Sequence, residues 1–146
     1  MAGCQPDAVP SIGLADQRVV DGDTLVIAGE RLRLAAIDAP ELKQTCGDAE
    51  GRAWACGLWA KERLAALLTG PADCRGDRQD RYGRRVVRCS VAGQDLGAAM
   101  VREGAARAYL RYGDDYAPHE AAARAEGRGI WAGRFTDPET PRHTGS

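Results

Sequence analysis

A chain of 146 residues, 44% hydrophobic and 28% charged, is the size of one domain around one core and has the composition of a globular protein. No apolar run approaches the ~20 residues that a membrane-spanning helix needs. A net charge of −1 excludes a generally basic polymer binder, so any affinity for phosphates must come from a local basic patch and be sensitive to salt.

Residues 1–15 lack periodicity and read as a tail. Met1–Pro10 has neither a positive start nor an apolar centre, so it does not read as a secretory leader. Either the protein is cytoplasmic, or its leader lies outside this sequence. Arg18–Ala28 and Glu30–Ile37 are β-rich runs, with Gly29 between them where a tight turn needs a residue tolerant of positive φ. In the second run Leu32, Leu34 and Ala36 alternate with Arg31, Arg33 and Ala35, which sets Arg33 on the face opposite the leucines. Pro40 ends the run and Glu41–Gly51 is a loop. A helix is expected from Asp48 or Ala49 to Leu68, ended by Gly70-Pro71, with Trp54, Leu58, Ala65 and Leu68 as its core-facing stripe.

Ala72–Arg78 and Arg84–Val91 form a hairpin. Leu96–Glu103 is a short helix stopped by Gly104, and the alanine-rich residues 117–128 are a third helix, with Ile130-Trp131 anchoring its end. Gly133–Ser146, with Pro138 and Pro141, reads as a loose tail. The expected organisation is therefore a tail over 1–15, one domain over 16–133 and a second tail over 134–146. Strands gathered before most of the helices, with one helix between the third and fourth strands, fit an α+β, mainly β fold: an OB-type barrel carrying helices on one side.

Five cysteines in so short a chain need a reason. None forms a C-x-x-C pair and there are only two histidines, which argues against zinc. With Asp80–Gly83 as the turn, Cys74 and Cys89 lie symmetrically about the hairpin centre, within bridging reach across antiparallel strands. Cys46 and Cys56 would staple the loop after Glu41 to the following helix, leaving Cys4 unpaired. Two bridges favour an oxidising compartment, periplasm or exterior; the alternative is buried free thiols in the cytosol.

The chemistry is concentrated in Asp21-Gly22-Asp23-Thr24, Arg33, Asp38-Ala39-Pro40-Glu41 and Asp80-Arg81-Tyr82-Gly83-Arg84. Carboxylates hold a hard cation through oxygen, and arginines clamp a phosphate with planar forks. Together they supply what metal-assisted phosphodiester cleavage requires. Taken singly, Asp-Gly-Asp is most often a turn, and Arg33 or Arg84 would be a surface charge. Arginine provides 18 of the 20 basic residues, and Arg75, Arg78, Arg81, Arg84, Arg85 and Arg88 crowd one segment.

In that order, and with the late Gly129-Ile130-Trp131, these motifs resemble the staphylococcal-nuclease family from about Val19 to Trp131. The resemblance implies a five-stranded OB-type Greek-key barrel with three helices. It also implies calcium-dependent hydrolysis of DNA and RNA at the bond to the 5′ oxygen, leaving 3′-phosphate ends. Carried onto this sequence, Asp23, Asp38 and the backbone carbonyl of Ala39 would hold Ca2+. Family members often have Thr at position 39, but a main-chain ligand tolerates Ala. Arg33 and Arg84 would grip the scissile phosphate, and Glu41 would take a proton from water or orient it. Asp21 would form the turn rather than ligate. Tyr82 and Tyr112 would flank the nucleotide by stacking or hydrogen bonding. His119 and His143 lie outside the motifs and are not expected to act. The expected partners are nucleic acids and no membrane, with the protein a monomer. Two readings compete with the enzyme: a non-catalytic nucleic-acid-binding OB module, and a secreted protein-interaction domain that retains only the scaffold.

Overall fold

The computed structural model describes residues 16–110 and 114–133. In chain order the strands and helices are β1 (Gln17–Asp21), β2 (Thr24–Ile27), β3 (Glu30–Leu34), β4 (Ile37–Asp38), β5 (Cys46–Gly47), β6 (Ala53–Trp54), α1 (Cys56–Leu67), β7 (Asp73–Gln79), β8 (Arg85–Val91), β9 (Gln94–Asp95), α2 (Leu96–Arg102), β10 (Arg107–Ala108) and α3 (Ala117–Glu126), followed by a 3-10 turn over Gly129–Ala132. The main sheet runs β1-β2-β3-β8-β7, with β9 on β8; its pairs are antiparallel except β3 with β8. Curled and carrying three helices, it is the mainly β, OB-like α+β half-barrel that the sequence implies, and α1 lies between the third and fourth strands of its main path.

Alternation decides which face is buried. Val19, Leu25 and Leu32 align across β1, β2 and β3 on the core face, while Arg18, Val26 and Arg31 form the next row on the other face. Leu25, Leu32, Leu34 and Val87 meet Leu64 of α1 and Leu96 and Met100 of α2 in one core. Each such side chain contributes about 1.5–3 kcal/mol when fully buried. Asp95 caps α2 by accepting the Ala98 N–H at 3.2 Å, and the Tyr116 hydroxyl donates to the same carboxylate at 2.9 and 3.0 Å.

The first helix differs from expectation. It starts at Cys56, because residues 46–54 pair as the small ribbon β5–β6. Asp48 holds that ribbon's turn by accepting the N–H groups of Glu50 and Arg52 at 2.9 and 2.8 Å. The stripe differs too: Trp54 precedes the helix, Leu58 is 46% exposed and Ala65 is exposed. The buried face is Cys56, Gly57, Ala60 and Leu64, so α1 packs through small residues. Trp54 instead stands edge-on to Trp59, ring centroids 5.5 Å apart.

Both expected bridges are present, Cys46–Cys56 and Cys74–Cys89. The first packs with buried Ile130, flanked by Trp54 and Trp131, which is how the Gly-Ile-Trp segment anchors the end of the fold. The second joins direct partners of β7 and β8. Its hairpin, however, turns over one more residue than expected, since the Asp80 N–H donates to the Arg84 carbonyl at 2.8 Å. A bulge between Arg75 and Arg78 absorbs the extra step. Cys4 lies outside the described residues.

Candidate active site

Four separate stretches meet in one cavity of about 440 Å³, lined by Asp21, Asp23, Arg33, Asp38, Glu41 and Arg84 with Ala39, Pro40, Arg81 and Tyr82. Asp23 immediately precedes β2, where the β1 ladder is irregular. Asp21 Oδ1 accepts the Asp23 N–H at 3.1 Å and closes the turn. The Asp23 carboxylate is nearly buried, only 9% of the residue remaining exposed. Its Oδ1 accepts from the Thr24 hydroxyl at 3.2 Å and its Oδ2 from the Ala39 N–H at 3.1 Å. Burial raises the Asp23 pKa to about 7, opposed by the Arg33 guanidinium and the Ala39 N–H and reinforced by the neighbouring Asp21 charge.

Arg33 projects from the face of β3 opposite the leucines. Its Nη1 donates to the Leu34 carbonyl at 2.6 Å and its Nη2 to the Ile37 carbonyl at 3.0 Å. The same guanidinium lies 3.5 Å from Asp23 and 3.8 Å from Asp38, and so stands between the two carboxylates. Asp38 is held on β4, whose partner β10 pairs Arg107 with Asp38 and Ala108 with Ile37.

Glu41 is exposed at the cavity rim. Its backbone is tied at both ends to Gln44: the Glu41 N–H donates to Gln44 Oε1 at 3.1 Å, and the Gln44 N–H donates to the Glu41 carbonyl at 2.8 Å. Gln44 in turn accepts the Gly57 N–H at 3.1 Å. Gly57 leaves no room for a side chain, because a Cβ there would collide with the Glu41 carbonyl. The Cys46–Cys56 bridge closes the same junction. The loop carrying Glu41 is therefore clamped onto the first turn of α1.

Arg84, also in the lining, is fixed by Asp80. Asp80 Oδ1 accepts the N–H groups of Tyr82 and Arg84, both at 2.9 Å, and Oδ2 accepts Arg84 Nε at 2.7 Å. Partial burial would raise the Asp80 pKa, but these donors outweigh it and hold the carboxylate below its ordinary value. Arg84 Nη1 reaches the hydroxyl of Thr24, the strand partner of Arg33, at 3.4 Å. Tyr82 is 72% exposed, its ring within 5.3 Å of the Arg84 guanidinium and 5.7 Å of that of Arg81.

Every candidate from the sequence except Tyr112 lines this cavity; Tyr112 and His143 lie outside the described residues. His119 is on α3 and not in the lining. Sequence reasoning placed Thr24 and Asp80 within the motifs without giving them a tethering role, and missed Gln44. The Asp80–Arg84 spacing, with Gly83 before the arginine, was a readable turn signal for Asp80. Nothing local marked Gln44.

Among the described residues no three His, Cys, Asp or Glu side chains converge as a ready-made metal cage. A hard cation here would draw on two carboxylates and one main-chain oxygen, with water and substrate completing its shell. That donor set suits calcium, whose coordination is flexible and oxygen-based, so the residues present fit the ion.

Residues 31–133 match the family described as staphylococcal nuclease homologue. The chain belongs to this family. It is 40% identical over 130 residues to the Succinoglycan biosynthesis protein ExoI of Rhizobium meliloti, covering 85% of this chain and 66% of that protein, just under two thirds of its length. An Uncharacterized endonuclease of Escherichia coli O157:H7 is 33% identical over 132 residues, 85% of this chain and 78% of the relative. The Micrococcal nuclease of Shigella flexneri is 35% identical over 133 residues, 79% and 71% of the two chains. The chain is thus a staphylococcal-nuclease-family domain, and two of the relatives that share it are named as an endonuclease and a nuclease.

Proposed function

We propose that the chain is a calcium-dependent nuclease that hydrolyses DNA and RNA and leaves 3′-phosphate ends. The observation carrying this reading is that Asp23, Arg33, Asp38, Glu41 and Arg84, from four stretches of sequence, line one cavity. The catalytic unit is residues 16–133, acting as a monomer in the periplasm or outside the cell, where two disulfides persist.

Asp23, Asp38 and the Ala39 carbonyl hold the cation. When bound, calcium supplies charge neutralisation at the scissile phosphate and lowers the cost of bringing water to it. Arg33 and Arg84 bind the phosphate and meet the charge that grows on its oxygens as a fifth oxygen approaches. Their main-chain and Asp80 contacts fix both guanidiniums before substrate arrives, so little reorganisation is needed. Glu41, exposed at the rim, accepts the proton of the attacking water. Tyr82, flanked by two arginines, offers a face on which a base can stack. Asp21 shapes the turn and does not ligate.

The test is incubation of purified protein with single-stranded DNA in calcium or in excess chelator. Cleavage in calcium alone supports the reading. Full activity in chelator would sink the metal assignment, and binding without cleavage under any metal condition would make the chain a non-catalytic OB module.

A further inference from the structure

The arginines of this protein divide into those already engaged and those left open. Arg75, Arg85 and Arg88 are paired with Asp73, Glu30 and Asp115. Arg18 and Arg31 form no ion pair among the described residues, and both are exposed. Strand register puts these two in one row. Arg18 stands opposite Val26, and Val26 opposite Arg31, on the face of the sheet that also carries Arg33. Glu30, next to Arg31 in sequence, points to the other face and is bound by Arg85 at 2.7 Å. Arg31 precedes Arg33 by two residues, about 7 Å along the strand, and Arg18 is two strand spacings beyond, about 9–10 Å across. Between them lies Val26, which is only 7% exposed.

We infer that Arg31 and Arg18 form a phosphate track for the part of a nucleic-acid strand that flanks the scissile bond; this rests on the nuclease reading above. For a strand gripped by Arg33 and continuing over the sheet, the row of positive charge begins two residues from that grip. In a chain of net charge −1, two exposed and unneutralised arginines in register beside the cavity are a local exception. They add affinity for polymers without touching the reacting phosphate, so substrates several nucleotides long are preferred over single diesters.

The experiment compares wild type with Arg31→Ala, Arg18→Ala and the double variant on two probes. These are a fluorescent single-stranded DNA 12-mer and a mononucleotide 5′-nitrophenyl diester. Binding of the 12-mer is followed by anisotropy across a salt series in chelator, and steady-state kinetics on both probes are measured in calcium. Each single variant should flatten the salt slope by about 0.7 and the double by about 1.4, as expected for one and two lost phosphate contacts on a single strand. KM for the 12-mer should rise several-fold, while kcat/KM on the short diester stays within about twofold. Arg31→Lys should recover most of the binding, since exposed phosphate contacts depend on charge. Arg102→Ala, exposed on α2 away from this row, should leave the slope as it was. An unchanged slope, or equal losses on both probes, overturns the track. If wild type cleaves neither probe, the nuclease reading fails while the anisotropy series still decides the track.

Discussion

The Arg33 guanidinium lies 3.5 Å from Asp23 Oδ2, the oxygen that also accepts the Ala39 N–H. Even so, Asp23 keeps a pKa of about 7 against an ordinary 3.8, because burial outweighs both partners. The folded state thus binds this proton more tightly than the unfolded chain. In metal-free protein the associated stability is fully present below pH 3.8 and is lost as pH rises through about 7. Calcium must displace the same proton. Calorimetry at pH 6 in buffers of different ionisation enthalpy should therefore detect proton release on calcium binding, with affinity rising up to pH ~7 and then levelling. Asp23→Asn should abolish both the release and the binding; calcium affinity independent of pH would refute the ligand assignment.

Loss of either arginine should fall on turnover. Arg33→Lys and Arg84→Lys keep the charge but lose the fork, and removing one preorganised donor typically costs about 3–4 kcal/mol, or roughly 10²–10³ in rate. Glu41→Gln should also be severe. Initial rates on single-stranded DNA decide the matter. Arg75→Ala is the right control, since Arg75 is exposed and, among the described residues, paired with Asp73. Arg88 is a poorer control than the basic segment alone suggests, because its guanidinium stacks on Tyr116 of the core. Equal rates in all variants would end the catalytic assignment.

Asp80 should act through Arg84. Asp80→Ala removes three hydrogen bonds from the loop that fixes the guanidinium, so kcat should fall about tenfold or more, as expected for losing about 1.5–3 kcal/mol of charge-assisted bonding. Asp80→Ala in an Arg84→Ala background should add little. Independent, multiplying losses would mean that Asp80 has a role apart from Arg84.

The bridges close loops with sequence separations of 10 and 15 residues, each worth about 3 kcal/mol in the chain-entropy model. Reduction should lower the melting temperature substantially. Mass spectrometry of unreduced protein should recover Cys46–Cys56 and Cys74–Cys89 peptides, with Cys4 alkylatable. Native protein with four or more reactive thiols would contradict the pairing.

Clamping of the Glu41 loop gives a further readout. Gly57→Ala drives a methyl into the Glu41 carbonyl, so kcat should drop more than KM changes, in protein that still melts cooperatively. An unchanged kcat would show that Glu41 does not depend on this junction.

Much of this was legible in the sequence because it depends on local alternation and motif order. The meander around Gly29 and the face assigned to Arg33 follow from period-two patterning and turn chemistry, while the acids of the cavity follow from motif order and what the family resemblance implies. The start of α1 was not legible. Trp54 and Leu58 are spaced as a helix would space them, but Asp48 and its turn hold residues 46–54 in a ribbon, a preference visible only once the Cys46–Cys56 bridge and Ile130 are in place. Strands of two residues, such as β4 and β10, carry no periodicity at all. The tethers Gln44 and Asp80 are polar side chains whose partners are mostly backbone groups, and those exist as partners only after the loops have closed.

The hairpin of β7 and β8 holds one more consequence. A regular ladder over the five-residue turn Asp80–Arg84 would set Cys74 opposite Ser90, with no sulfur in reach; only the bulge at Gly76-Asp77 moves Cys74 opposite Cys89. Gly76 suits that place, with φ of 144° and no space for a side chain against the Val86 carbonyl. The cystine can therefore close in one alignment of the two strands and not in its neighbour. It works as a proofreading mark: a chain that has formed it has recorded, covalently, that the edge strand was laid down in the right frame.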